Sequence, residues 1–228
     1  MHQLIKKLLP KFIRRKVSSF FLSVLKKYNK IRSAQIPKPT ISSEAIANTK
    51  LLLNREELLK VLPKQGIVAE LGVDEGDFSE KILKICNPKK LILVDFWGSK
   101  RYNQNKRKKV EEKFSSLINS GKVQIELGLS TDVGERFEDG YFDWIYIDTS
   151  HSYQTTIKEL EIWRTKVKEN GIIAGHDFTV GNWDGMVRYG VIEAVYEFCS
   201  KYNWEILYIT MELDFPSFAI RKRNVTNT

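Results

Sequence analysis

Cysteine is scarce. Cys86 and Cys199 are the only two in 228 residues, which excludes a disulfide scaffold and a thiolate metal cluster and sets a reducing, cytoplasmic expectation. Acid is missing from residues 1–43, which hold eleven of the 37 Lys and Arg; the remaining 26 bases face 28 acids in residues 44–228. The formal charge of +9 is therefore a property of the N-terminal segment, and the body is near neutral. That segment also lacks a long apolar run. Its longest uncharged stretch, residues 17–25, is nine residues, against the roughly 20 needed to span a bilayer. Charges interrupt it and no small-x-small cleavage site follows, which argues against a signal peptide. The chain also lacks the Gly-x-Gly-x-x-Gly of a dinucleotide site and the Gly-Lys-Ser/Thr of a phosphate loop.

What is present divides into three parts: residues 1–40 as a basic helical extension and linker, 41–222 as one domain, and 223–228 as a polar tail. In residues 1–32, Leu4, Ile5, Leu8, Leu9, Phe12, Ile13, Val17, Phe20, Phe21, Val24 and Leu25 recur at three-and-four spacing. Such a basic amphipathic helix suits its own domain, a second subunit, an anionic membrane surface or nucleic acid, the membrane implying a peripheral place at the inner membrane face. Pro37 and Pro39 disfavour helix in the linker.

The body alternates. A helical pattern over 42–62 is followed by strands at 67–70, 90–95, 123–127, 144–148 and 171–174, separated by helices at 78–86, 106–119, 155–167 and 190–202. Strands at 205–210 and 217–221 are too close together for a crossover helix and are expected to pair antiparallel at the sheet's edge. This predicts an α/β fold: a Rossmann-like, doubly wound, seven-stranded and mostly parallel sheet with an antiparallel last strand.

Chemistry-bearing residues sit at the strand ends, where such sheets place their sites. The first strand runs into Glu70-Leu71-Gly72-Val73-Asp74-Glu75-Gly76-Asp77-Phe78-Ser79, a glycine turn rich in acid. Glycines there let backbone approach a ligand, and the acids suit a cationic one. Asp95 ends the second strand, placed for ribose hydroxyls. Gly128-Leu129-Ser130-Thr131 follows the third strand, with small polar residues for an adenine edge. The fourth ends in Asp148-Thr149-Ser150-His151-Ser152-Tyr153 and the fifth in Gly175-His176-Asp177, so two of the chain's three histidines and two aspartates converge on one rim. An imidazole there can take a proton from a hydroxyl, and Asp148 and Asp177 are hard donors for a divalent cation such as Mg²⁺.

Together these motifs resemble the class I S-adenosylmethionine-dependent methyltransferases, and within them the small catechol- and macrocin-type O-methyltransferases (methyltransferase 24-like), over roughly residues 45–222. The resemblance implies S-adenosylmethionine as cofactor. It implies contacts from Glu70, Gly72, Val73, Asp74, Gly76 and Ser79 around the turn, and from Asp95 and Phe96. Ser130, Thr131 and Asp148 complete that set. It implies His151, Asp148 and His176 as catalytic residues, with His151 standing where catechol-type enzymes carry a lysine. Asp148 and Asp177 match metal ligands, but Phe178 replaces the family's asparagine. Either His176 supplies a third ligand, or metal binding is lost and His151 acts alone.

Trp97, Tyr102, Tyr153, Trp183 and Arg188 are the expected acceptor contacts, in and beside two segments over the site, and suit a small hydroxylated acceptor such as a sugar, a glycan or a glycosylated metabolite. The resemblance also suggests a homodimer. Nucleic acid is disfavoured as a substrate because the Asn/Asp-Pro-Pro-Tyr/Phe turn of DNA amino-methylating enzymes is absent after the fourth strand. A non-catalytic binding or assembly module is the remaining alternative.

Overall fold

The computed structural model describes residues 11–182 and 187–223, with side chains from residue 16 onward. The chain divides into two units, Met1–Lys38 and Pro39–Thr228. In the first, helix α1 spans Lys11–Ala34 and contains no acidic residue. Residues 1–10, the start of the expected amphipathic segment, lie outside the described residues, as does the tail beyond 223. Among the described residues no helix is long and apolar enough to cross a membrane.

The second unit opens with α2 (Ser43–Ile46), β1 (Lys50–Leu52) and α3 (Arg55–Val61). The single helix expected over 42–62 is therefore broken. Lys50, Leu51 and Leu52 pair in parallel with Tyr208, Ile209 and Thr210. Asn54 then restarts the helix, its side chain accepting from Glu56 N and Glu57 N at 3.0 Å each. Leucine spacing alone did not separate the two states; the cap at Asn54 does.

The alternation then unfolds as β2 (Ile67–Leu71), α4 (Asp77–Cys86), β3 (Lys90–Asp95), α5 (Gln104–Lys113), α6 (Ser115–Asn119), β4 (Val123–Leu127) and α7 (Ser130–Val133). It continues through β5 (Phe142–Ile147), α8 (Tyr153–Lys166), β6 (Val167–Gly175) and a small hairpin of β7 (Gly181–Asn182) and β8 (Val187–Arg188), and ends with α9 (Val191–Tyr202), β9 (Trp204–Thr210) and β10 (Phe218–Lys222). The main sheet has eight strands in the order β1-β9-β10-β6-β5-β2-β3-β4, one more than expected. β10 runs antiparallel to both neighbours, as its short connection requires. The final pair does not form the edge, however: β10 inserts between β6 and β9, and β1 covers β9.

Two-residue periodicity builds a core on each face of the sheet. Ala69, Leu71, Ile92, Val94, Ile145 and Ile147 point to one side, against Leu160, Trp163 and Phe198 of α8 and α9. Val68, Leu91, Leu93, Trp144 and Tyr146 point to the other, against Leu58, Leu59, Phe78 and Ile82 of α3 and α4. Because β2 is flanked by β3 on one side and β5 on the other, all parallel, the connections diverge here. A crevice opens at this point over the strand ends.

Candidate active site

The crevice is a cavity of about 520 Å³. It is lined from β2 and its turn by Glu70, Gly72, Val73 and Asp74, from β3 by Asp95, Phe96 and Trp97, and from β5 by Asp148, Thr149 and His151. Its size lies within the range of small-ligand pockets.

Gly72 joins its two halves. Its φ is +88°, and a Cβ on it would lie 1.9 Å from the carbonyl oxygen of Asp148. Its N–H donates to Val94 O at 2.9 Å, and Asp148 N donates to Leu71 O at 2.7 Å. Three strand ends are thereby locked in register with no side chain above the turn, a cradle that backbone-hugging ligands require. Gly76, at φ +78°, sits deeper, where it starts α4 against Phe114. It shapes the turn without lining the cavity.

Glu70 is buried, and its carboxyl accepts from Ser79 Oγ, so Ser79 acts through Glu70. Burial pushes Glu70 up to about 8, more than the Ser79 hydrogen bond pulls it down. The other acids of the turn are neutralised by α5: Lys106 pairs with Asp74, Lys109 with Glu75 at 3.1 Å, and Lys113 with Asp77 at 2.6 Å. The basic stretch after Trp97 thus contains a helix whose lysines brace the glycine turn. The turn is far less anionic than its composition suggests.

Asp95 faces the same turn. One carboxylate oxygen accepts from Val73 N and Asp74 N at 2.8 and 3.1 Å, the other from Trp97 N at 3.0 Å. A carboxylate has about four acceptor positions, so capacity remains beside the brace. At the far end, Ser130 lines the cavity and donates to buried Glu159, which also accepts from Thr149 Oγ1 at 2.9 Å. Burial lifts Glu159 to about 7. Thr131, one residue on, turns to Asp132 and is not part of the lining.

At the β5 and β6 ends, His151 Nδ1 lies 3.1 Å from Asp177 Oδ2. Both residues hold left-handed backbone, φ +56° and +57°, a conformation that costs non-glycine residues about 1–2 kcal/mol each. Asp148, His151 and Asp177 can each offer one ligand atom, all within 4.8 Å of one another. His176 stands outside that set. Its Nδ1 is 3.5 Å from Asp148 Oδ2 and 3.4 Å from Asp177 Oδ2. Burial opposes its charge, but the hydrogen bonds and charges of the two aspartates outweigh it and lift the imidazole to about 9. The three residues close enough to share an ion therefore include His151 and not His176. Phe178 is buried against Tyr196 and Phe218.

The expected acceptor contacts divide. Tyr102 and Phe96 line the cavity, with the Arg101 guanidinium 5.0 Å from the Tyr102 ring centre. Trp97 also lines it but is 1% exposed, with its Nε1 donating to Asp74 O at 2.9 Å; it is a wall of the turn. Tyr153 is not part of the lining: it opens α8, and its hydroxyl donates to Glu197 at 2.7 Å, across to α9. Arg188 is likewise spent on Glu193 and on the carbonyls of Val180 and Tyr189. Trp183 lies outside the described residues. Two lining residues carried no sequence signal. Arg55, in the first turn of α3, packs 4.6 Å over the Phe78 ring, and Glu159 was hidden on a helix face.

A glycine-turned strand–helix junction, an acid closing the next strand and a His–Asp rim thus stand together at the strand ends. A family model described as "Methyltransferase domain" matches residues 69–178, from β2 through β6 to Phe178, and the resemblance to S-adenosylmethionine-dependent methyltransferases holds. Solved structures share the fold. The pyocyanin biosynthetic protein PhzM superposes with a TM-score of 0.58 at 12% identity, covering 75% of this chain and 55% of that one. A SAM-dependent methyltransferase from Aquifex aeolicus gives 0.55 at 15%, covering 74% and 89%. The B. subtilis tRNA methyltransferase TrmK gives 0.55 at 15%, covering 76% and 67%. The match thus spans about half the length of PhzM. No curated protein sequence matches the chain.

Proposed function

We propose that this protein is an O-methyltransferase that uses S-adenosylmethionine to methylate a hydroxyl of a small acceptor, a sugar, glycan or glycosylated metabolite. The observation that carries the reading is the His151–Asp177 pair at 3.1 Å, with His151 on the cavity wall and Asp177 buried behind it. In this reading Asp177 orients the imidazole from its Nδ1 side, and Nε2 receives the proton.

S-adenosylmethionine supplies an electrophilic methyl group on a sulfonium. The Gly72 cradle admits its backbone-hugging part, Asp95 offers acceptors to the ribose, and Ser130 with Thr149 borders the adenine end. Arg55 and Glu70 stand together at the other end, a cation and an acid suited to an amino-acid carboxylate and ammonium. His151 Nε2 takes the acceptor's hydroxyl proton, leaving the oxygen as nucleophile. Phe96 and Tyr102 offer aromatic faces to a sugar's apolar side.

A second reading is favoured by one observation, the close approach of Asp148, His151 and Asp177. These three would hold a divalent cation, which would stabilise an alkoxide. The readings compete for one atom: if His151 Nδ1 ligates a metal, Nε2 carries the hydrogen and is no longer a base. Calorimetric titration of S-adenosylmethionine into metal-stripped protein, followed by labelled-methyl transfer to a panel of sugars with chelator or Mg²⁺, tests both. Binding and transfer that persist in chelator support His151 as base. Transfer only with Mg²⁺ supports the cation. No cofactor binding in either condition defeats the methyltransferase proposal.

A further inference from the structure

We propose that α1 is a docking element for an anionic lipid bilayer surface. It is a single helix of 24 residues. Val17, Phe20, Phe21, Val24, Tyr28 and Ile31 follow each other by three, one, three, four and three residues, which at 3.6 residues per turn places all six on one stripe about 100° wide. One helix cannot bury its own stripe, so that face needs a partner.

The rest of the helix identifies the partner. Lys26 and Lys30 fall on the side opposite the stripe, Lys16 on its flank, and Lys27 and Arg32 on its two borders. No acid stands anywhere in residues 1–43 to pair with them internally. A helix meant for a protein groove commonly carries both signs on its polar face. One with only positive charge, and with phenylalanines and a tyrosine along the apolar edge, matches an interface of anionic headgroups over acyl chains. Its length of nine residues between charges permits lying in the interface and not crossing it. The confinement of basicity to this segment has the same sense. Residues 44–228 carry a slight excess of acid, so attraction to a negative surface rests on the N-terminal segment alone.

The test is sedimentation of the full chain with vesicles of phosphatidylcholine containing 30% phosphatidylglycerol, against vesicles of phosphatidylcholine alone, at 0.05 and 0.5 M salt. The double variant Phe20→Glu, Phe21→Glu is run in parallel. The expected result is binding to the anionic vesicles, at least tenfold weaker without phosphatidylglycerol or at high salt, and a comparable loss in the double variant. Circular dichroism and thermal melting of the variant should match the parent, because the substitutions lie outside the methyltransferase domain. The proposal is overturned if the protein ignores anionic vesicles at low salt, or binds both vesicle types alike. It is also overturned if analytical ultracentrifugation shows a dimer that the double variant abolishes while vesicle binding is absent. Tighter retention by a random-sequence RNA than by the anionic vesicles overturns it in favour of nucleic acid.

Discussion

Replacing Glu70 by Gln removes one buried acid from the cofactor end of the cavity and should change both stability and binding in a pH-dependent way. Glu70 is about 1% exposed, and burial holds it near 8, against 4.5 for an ordinary glutamate. Below pH 4.5 the group is protonated in the folded and unfolded chain alike, and contributes nothing to the difference. Between the two values the unfolded chain releases the proton first, so stability falls as pH rises, by roughly 1.4 kcal/mol per unit and a few kcal/mol in all by pH 8. Glu70→Gln should flatten that slope and melt higher than the parent at pH 8. Binding turns the same linkage round. A cationic ligand favours the carboxylate, so S-adenosylmethionine binding near pH 7 should release close to one proton. Calorimetry in buffers of different ionisation enthalpy measures this directly. The variant should release none and bind more weakly at pH 8. Equal apparent enthalpies in phosphate and Tris for the parent protein, or an unchanged slope of stability with pH in the variant, would refute the reasoning.

Other outcomes follow from geometry. Gly72→Ala should destabilise the fold by about 2–4 kcal/mol or abolish cofactor binding, since its Cβ would lie 1.9 Å from Asp148 O; a melting curve and titration equal to the parent's would contradict this. Arg55→Met should weaken S-adenosylmethionine binding about tenfold or more, the scale of a charged hydrogen bond, while leaving a decarboxylated analogue unaffected. Equal losses for both ligands would remove the carboxylate assignment. His151→Ala should lower kcat by 10²–10⁴ with little change in cofactor affinity, and full activity in a methyl-transfer assay would sink the base assignment.

The parallel strands, the glycine turn and the rim of two aspartates and two histidines were legible because each leaves a local mark: an apolar run, a glycine, a polar residue just past a strand. What the sequence concealed depended on distant partners. β1 is a strand because Lys50–Leu52 finds β9 more than 150 residues on. The acids of the turn read as cation-seeking until α5 brings Lys106, Lys109 and Lys113 onto them. Tyr153 and Arg188 have the chemistry of acceptor contacts, but Glu197 and Glu193 claim them first. Arg55 and Glu159 enter the cavity from helices whose pattern speaks only of packing.

The contact of Gly72 with Asp148 joins the glycine turn and the His–Asp rim through adjacent main chains. Their mutual alignment therefore does not depend on which side chains surround them. Of the loops beside that frame, residues 97–103 reach the cavity with Trp97, Gly98, Ser99 and Tyr102. Such segments can diverge freely. Under the proposed function, change in acceptor preference over evolutionary time is expected to accumulate in that loop, while the frame beneath keeps a fixed register.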